Sequence, residues 1–314
     1  MKNLPKIVLG LLIAAAVAVP LTIARAEDKV VHIGFQKYGK LVLLKSKGTL
    51  EGKLKEIGYS VAWTEFPSGP PLLEAVNAGA IDFGNTGEAP PIFAQAAGIP
   101  FVYVAYEPPA PKGEAILVPK DSTLKSVSDL KGKKVAFNKG ANVHYLLVKA
   151  LEKADVKYSE IQPVFLAPAD ARAAFERGSV DAWAIWDPFQ AAAEAATGAR
   201  ELADGTGIVA NTQFYLGSRK FVETNAQALD VVLAQLREVD DWAKSDITAV
   251  AAQLSPAIGI AAPVLEVALK RQAYGIKPID GTAIAEQQKI ADTFNSLGLL
   301  PKPIKVSDAV RSGS

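Results

Sequence analysis

Residues able to do covalent or metal chemistry are scarce in this 314-residue chain, and those present lack the neighbours such chemistry needs. The two histidines, His32 and His144, belong to no ligand-spaced cluster such as H-E-x-x-H and read as structural. There is no cysteine, which excludes a thiolate nucleophile, a thiolate metal site, a disulfide scaffold and a lipidated N-terminal cysteine. Neither a G-x-S-x-G elbow nor a G-x-x-x-x-G-K-[ST] phosphate loop occurs. No metal and no cofactor is expected. What the chain does carry is a set of short polar turns: Gln36-Lys37-Tyr38-Gly39, Pro67-Ser68-Gly69-Pro70, Asn85-Thr86-Gly87 and Lys139-Gly140-Ala141-Asn142. Glycine lets backbone approach a ligand closely, and Ser68, Thr86 and Asn142 can cap a helix or donate to a ligand. That is the chemistry of holding an anion without altering it.

The elements around these turns follow from periodicity. Residues 30–35, 59–63 and 80–84 read as strands, and residues 41–54, 70–78 and 89–97 as helices with proline tolerated in the first turn. Strands alternating with helices of this length imply crossover units and mostly parallel sheets, so the fold class is α/β. The pattern then repeats. Glu74-Ala75-Val76-Asn77-Ala78-Gly79-Ala80-Ile81-Asp82 is echoed by Ala173-Ala174-Phe175-Glu176-Arg177-Gly178-Ser179-Val180-Asp181, and Phe35-Gln36-Lys37 by Phe137-Asn138-Lys139. Two matches in the same order at nearly equal spacing predict two lobes of similar topology. Pro108, Pro109 and Pro111 make a stiff extended crossing between them. The expected organisation is lobe 1 from residues 27–108 and 217–314, lobe 2 from residues 113–212, and hinges at residues 109–112 and 213–216. Helical periodicity over residues 226–244, 247–254, 263–273 and 282–297 would pack the C-terminal part back on lobe 1.

In open α/β sheets the crevice beyond the carboxyl ends of the strands is the default binding site, and helix amino-termini there favour anions. Lys37 and Lys139 either face that anion or are solvated turn lysines. Strand alternation separates Trp183 from Trp186; the first is expected in the core and the second in the cleft. Glu88 and Asp187 could cap helices, pair with lysine or accept from a ligand, and capping is the simpler role. Tyr215 is expected near the cleft mouth.

Composition excludes further classes of partner. The balance of 34 basic to 33 acidic residues gives no field that would favour nucleic acid. Lys2 and Lys6, the apolar run 7–18, Pro20 and Ala24-Arg25-Ala26 read as a secretory signal cut after Ala26. The apolar run is too short to span a membrane. Loss of Lys2, Lys6 and Arg25 leaves 31 basic against 33 acidic residues in a soluble, periplasmic chain.

Several strings then carry a family resemblance. They include Ile33-Gly34-Phe35-Gln36-Lys37, Phe66-Pro67-Ser68-Gly69-Pro70, Gly87-Glu88-Ala89-Pro90-Pro91, Tyr106-Glu107-Pro108-Pro109, Asp129-Leu130-Lys131-Gly132-Lys133, Pro168-Ala169-Asp170-Ala171-Arg172 and Val180-Asp181-Ala182-Trp183-Ala184-Ile185-Trp186-Asp187-Pro188. Together they resemble the aliphatic sulfonate-binding proteins of bacterial ABC importers (SsuA type), relatives of the taurine- and nitrate-binding proteins. The resemblance implies a two-lobed periplasmic binding-protein fold of type II. It implies capture of an alkanesulfonate, delivery to an inner-membrane permease driven by an ATPase, a monomeric receptor and no catalysis. It maps the ligand site onto Gln36, Ser68, Gly69, Thr86, Gly87, Glu114, Gly140, Asn142, Asp170, Trp186 and Asp187. Where the family commonly carries serines before the histidine, this chain has Ala141-Asn142-Val143-His144, so backbone N–H groups and the Asn142 amide would stand in for hydroxyls. Receptors for taurine, nitrate or an aromatic sulfonate, and an enzyme on the same fold, are the rival readings.

Overall fold

A computed structural model describes residues 29–310; the leader expected at residues 1–26 lies outside the described residues. Eleven strands form two sheets. In the first, β1 (Lys29–Phe35) pairs in parallel with β2 (Tyr59–Glu65) and β3 (Phe83–Gly87). In the second, β6 (Lys134–Phe137) pairs in parallel with β7 (Gln162–Phe165) and β8 (Ala182–Trp186). Each parallel trio is extended by one antiparallel strand and, beyond it, by a strand that again runs parallel to the trio. β10 (Gln213–Ser218) lies between β3 and β4 (Phe101–Tyr106), with the two-residue β11 (Lys277–Pro278) at the far edge. In the second sheet β5 (Glu114–Val118) lies between β8 and β9 (Arg200–Asp204). The two orders, β2-β1-β3-β10-β4 and β7-β6-β8-β5-β9, are the same topology built twice.

The sequence echo has a physical cause. The Asp82 carboxylate accepts the N–H of His32 at 2.9 Å, and the Asp82 N–H donates to the His32 carbonyl at 2.8 Å. Asp181 does the same to Lys134, at 2.7 and 2.8 Å. A helix, a left-handed glycine (Gly79 φ 72°, Gly178 φ 68°) and a clamping aspartate thus attach the third strand of each lobe to its first. This clamp also explains why the strand expected at residues 80–84 begins only at Phe83, since Ala80–Asp82 is the clamp itself.

Helices cover both sheets. In the first lobe these are α1 (Lys40–Lys47), α2 (Leu50–Lys55), α3 (Gly69–Asn77) and α4 (Ala89–Ala96); in the second, α5 (Asn142–Lys153), α6 (Pro168–Glu176) and α7 (Phe189–Thr197). The C-terminal helices α8 (Arg219–Thr224), α9 (Ala226–Ser245), α10 (Ile247–Ile258), α11 (Ala262–Arg271) and α12 (Gly281–Ser296) return to the first lobe. The single helix expected over residues 41–54 is two, because Gly48 adopts a left-handed cap (φ 69°) after α1. No single described helix is long and apolar enough to cross a membrane.

Residues 213–216, expected as the return hinge, lie inside the first sheet; the chain reaches it through residues 205–212. The two crossings are tied together by Ala110 N–H donating to Ala210 O at 3.0 Å and by Gly205 N–H donating to Pro111 O at 2.9 Å. One fully buried cation braces the end of the first crossing. Lys40 Nζ donates to Glu107 Oε2 (2.9 Å), Gln272 Oε1 (3.1 Å) and the Ala273 carbonyl (3.0 Å), and lies 3.5 Å from Asp240 Oδ1. The Tyr215 hydroxyl, fully buried rather than at a cleft mouth, donates to Glu107 Oε1 at 2.6 Å. Replacing Lys40 with methionine would leave Glu107 and Asp240 buried without their cation. Chemical denaturation of Lys40→Met is expected to show a loss of roughly 3–5 kcal/mol, against near-neutrality for an exposed control such as Lys53→Met.

Candidate functional site

The facing ends of the two sheets enclose a small cavity lined by Gln36, Tyr38, Gly69, Gly87, Pro90, Asn142, Trp186 and Gln213. Its volume is about 10 Å³, room for the centre of about one water molecule. Each lining group arrives for a local reason. Gln36 follows β1 and is pinned by its Nε2, which donates to the Asn85 carbonyl at 2.9 Å. Gly69 and Asn142 are the first residues of α3 and α5, where helix N–H groups lack partners in the preceding turn. The extended Ser68 precedes α3 but its side chain caps no helix N–H. Gly87 ends β3, and a Cβ there would lie 2.9 Å from Asn142 Cβ, so only glycine lets the lobes meet. A Cβ at Gly69 would lie 2.7 Å from the Pro90 ring.

Not every expected residue lines the cavity. Gln36, Gly69, Gly87, Asn142 and Trp186 do, whereas Ser68 and Thr86 are buried immediately behind Gly69 and Gly87. Glu114 is fully buried and accepts from the Asn142 amide. Gly140 holds the left-handed turn before α5 (φ 77°), and its N–H donates to His144 Nδ1 at 3.3 Å. Asp187 faces away: its Oδ1 accepts the Ala191 N–H at 3.1 Å at the start of α7 and lies 3.5 Å from Arg271. Asp170 is exposed in the first turn of α6 and is not part of the cavity. Of the lysines, Lys37 bonds the Ile258 carbonyl at 3.3 Å and Lys139 sits 5.3 Å above the Phe165 ring. Trp183 is core, packed on Phe175.

The lobes touch on both sides of the cavity. On one, Phe93 of α4 packs on His144 of α5 and on Phe294 of α12, with ring centroids 6.0 and 4.7 Å apart. On the other, Arg271 of α11 pairs with Glu194 of α7 at 2.8 Å as well as approaching Asp187. Asn211 links cavity and crossings. In the left-handed region (φ 50°), it donates from Nδ2 to the Ala110 carbonyl at 2.9 Å, and its Oδ1 accepts from Asn142 at 3.1 Å and Gln213 at 3.4 Å.

Among the described residues, no lysine, arginine or histidine lines the cavity. Three acids stand behind it, and burial dominates each. Glu114 is raised well above the ordinary carboxylate range by desolvation, then by the charge of Glu88, against the opposing Asn142 bond. Glu88 rises to about 7 through burial, despite the Thr212 N–H bond and the nearby Asn211 N–H. Asp187 rises to about 7 through burial, despite Arg271. His144 falls to about 4, through burial and then the charge of Lys139, so it is neutral at physiological pH.

The NMT1/THI5-like family model matches residues 55–246. A protein of Escherichia coli K12 named for aliphatic sulfonate binding is 45% identical over 313 residues, 99% of this chain and 97% of that one. The chain belongs to the NMT1/THI5-like family. Its sulfonate-binding branch also supplies close structures. The alkanesulfonate-binding protein SsuA of Xanthomonas axonopodis pv. citri, bound to MOPS, superposes with a TM-score of 0.86 at 40% identity, over 91% of this chain and 99% of that one. The periplasmic aliphatic sulphonate binding protein SsuA of Escherichia coli superposes with a TM-score of 0.82 at 45% identity, over 91% and 93%. The two-lobed α/β fold is therefore that of the SsuA-type binding proteins.

Within this NMT1/THI5-like fold, Pro90, Gln213 and Asn211 belong to the cavity region without having been singled out in the sequence, and Tyr38 was marked only as part of its turn. Asn211 alone carried a local signal, since asparagine tolerates the left-handed conformation better than most residues. The acids make stability depend on pH. Glu88 and Asp187 hold protons to about pH 7 when folded, against ordinary values of 4.5 and 3.8. Their contribution is thus complete below about pH 4 and is lost as pH rises through about 7. The thermal midpoint is expected to be lower at pH 8 than at pH 5.5, and Glu88→Gln should flatten that slope; a midpoint rising over this interval would contradict it.

Proposed function

We propose that the chain is a periplasmic receptor of an ABC importer that captures an aliphatic sulfonate between its lobes and releases it unchanged to a membrane permease. The observation that carries this is the cavity between the sheet ends: two helix starts, Gly69 and Asn142, two side-chain amides, Gln36 and Gln213, and the Trp186 ring converge there without a catalytic group. A sulfonate is ionised at any physiological pH and offers three acceptor oxygens. Neutral donors suit it, and no proton acceptor is needed. An affinity near 1 μM corresponds to about −8 kcal/mol, within reach of a few hydrogen bonds to a charged group at ~1.5–3 kcal/mol each plus contact of the alkyl chain with Trp186.

A sulfonate group is larger than the space present, so binding parts the lobes slightly and the crossings at residues 107–112 and 205–212 act as hinges. We assign lobe 1 to residues 29–106 and 213–310 and lobe 2 to residues 113–204. The ligand set comprises Gln36, Gly69, Gly87, Asn142, Trp186 and Gln213, with Ser68, Thr86 and Glu114 behind it. Monomeric action, export across the inner membrane and coupling to a permease and its ATPase belong to the same reading.

Calorimetry with methane- to hexanesulfonate, taurine, sulfate and nitrate tests the reading. Saturable binding of alkanesulfonates is expected, with quenching or enhancement of tryptophan fluorescence. Absence of binding by every sulfonate would remove it, and preference for taurine would move it to aminosulfonates. Gly87→Ala, which pushes Asn142 away, is expected to weaken the preferred sulfonate by at least about tenfold with folding intact. Affinity is also expected to fall as pH rises from 6 to 8, because ionised Glu88 and Asp187 would repel the bound anion.

A further inference from the structure

Behind the crossings, on the face of the first sheet away from the anion cavity, lies a second cavity of about 510 Å³. Strand alternation separates the two spaces: Gln213 points into the first, whereas its neighbours Thr212 and Phe214 line the second. The walls are mainly apolar and aromatic, from Tyr106, Phe214, Tyr145, Ile208, Val209 and Ile290. They are contributed by both crossings, by α5 and by α12. A cavity of this size and lining falls in the range of small-molecule sites.

One polar group sits in this wall with unused capacity. Glu88 is 1% exposed; its Oε2 accepts the Thr212 N–H at 2.8 Å, and its Oε1 has no hydrogen-bond partner. A buried carboxylate oxygen without a donor is costly. The surrounding charges do not satisfy it. Glu286 on α12 adds a second carboxylate to the lining and is paired outward with Lys289 at 2.6 Å, while Lys277 of β11 is the one cation lining the cavity. Gln287 directs its Nε2 to the Glu88 backbone carbonyl and the Tyr103 hydroxyl, not to the carboxylate. Tyr145, Asp280 and Thr282 are further polar groups nearby, Asp280 already held by Tyr106 at 2.8 Å, while the buried Glu114 carboxyl and the Asn211 N–H lie close to Glu88 on the side of the anion cavity. The deficit is of a donor, and the walls ask for an apolar body attached to it.

We propose that this cavity is a second ligand site, taking a small organic ammonium ion with an aromatic or branched apolar body, whose N–H groups donate to Glu88 Oε1. The ammonium supplies the missing donor and charge, and the body fills the space between Phe214, Tyr145 and Ile290. Because Glu88 holds its proton up to about pH 7, ammonium binding competes with protonation and strengthens as pH rises, the reverse of the trend at the sulfonate site.

Benzylammonium is the probe, titrated calorimetrically into the mature chain in sulfonate-free phosphate buffer at pH 6, 7 and 8, with benzyl alcohol as the neutral control. Saturable binding is expected, with affinity rising up to roughly tenfold from pH 6 to 8, as a group titrating near 7 requires, and benzyl alcohol at least tenfold weaker. Glu88→Gln should lose at least tenfold and abolish the pH dependence. Thr282→Trp, an exposed position lining the cavity, should block benzylammonium independently, with circular dichroism confirming that both variants fold. No saturable binding, equal binding of benzyl alcohol, or full affinity in folded Glu88→Gln would each overturn the proposal.

Discussion

A water-sized cavity between the lobes, with no cation among the described residues of its wall, presents only dipoles, and that constraint orders the rest of the structure. The groups at hand are helix-start N–H donors at Gly69 and Asn142 and the amides of Gln36 and Gln213. Dipoles of this kind act at short range, so they must be brought close and held at fixed angles. Glycine at positions 69 and 87 supplies the close approach. The acids behind the wall would oppose an anion if ionised, and burial pushes Glu114 toward its neutral form. A cavity without its own cation thus depends on the low polarity of its surroundings, which sealing between the lobes maintains.

Holding those angles fixed under the proposed hinge motion is the second demand. Asn211 meets it by joining the two cavity amides to the first crossing through one side chain. Lys40 meets it from the other side, fastening Glu107 at the end of β4 to the C-terminal helices through Gln272, Ala273 and Asp240. In the proposed hinge motion, rotation about the crossings would occur between two braced ends. The contacts between the lobes are of different kinds: ring packing of Phe93 against His144 on one flank, an Arg271–Glu194 ion pair on the other.

The architecture was largely legible in the sequence because it rests on local signals. Period-two runs marked β1 and β2, prolines marked the starts of α3 and α4, and the glycine–aspartate echo marked a clamp that recurs in both sheets. The offset of β3 and the inclusion of residues 213–216 in the first sheet were not legible, since both follow from pairing with strands far away in the chain. At the site, helix-start residues such as Gly69 and Asn142 could be anticipated from turn chemistry. The turn holding Tyr38 could be anticipated too, but not that its side chain leaves the first lobe to pack in the core of the second. Asp187 and Asp170 show the opposite error, because an acid beside a turn looks alike whether it meets a ligand, an arginine or water.

The position of β10 has a consequence for how the chain matures. It is wedged between β3 and β4, so a sheet begun by residues 29–106 stays open through its middle until residues 213–218 have been made and delivered. The second lobe, by contrast, is continuous in sequence. Late arrival of a central strand delays compaction of the amino-terminal half, and a polypeptide that remains loose for that interval is easier to thread through a narrow translocation pore.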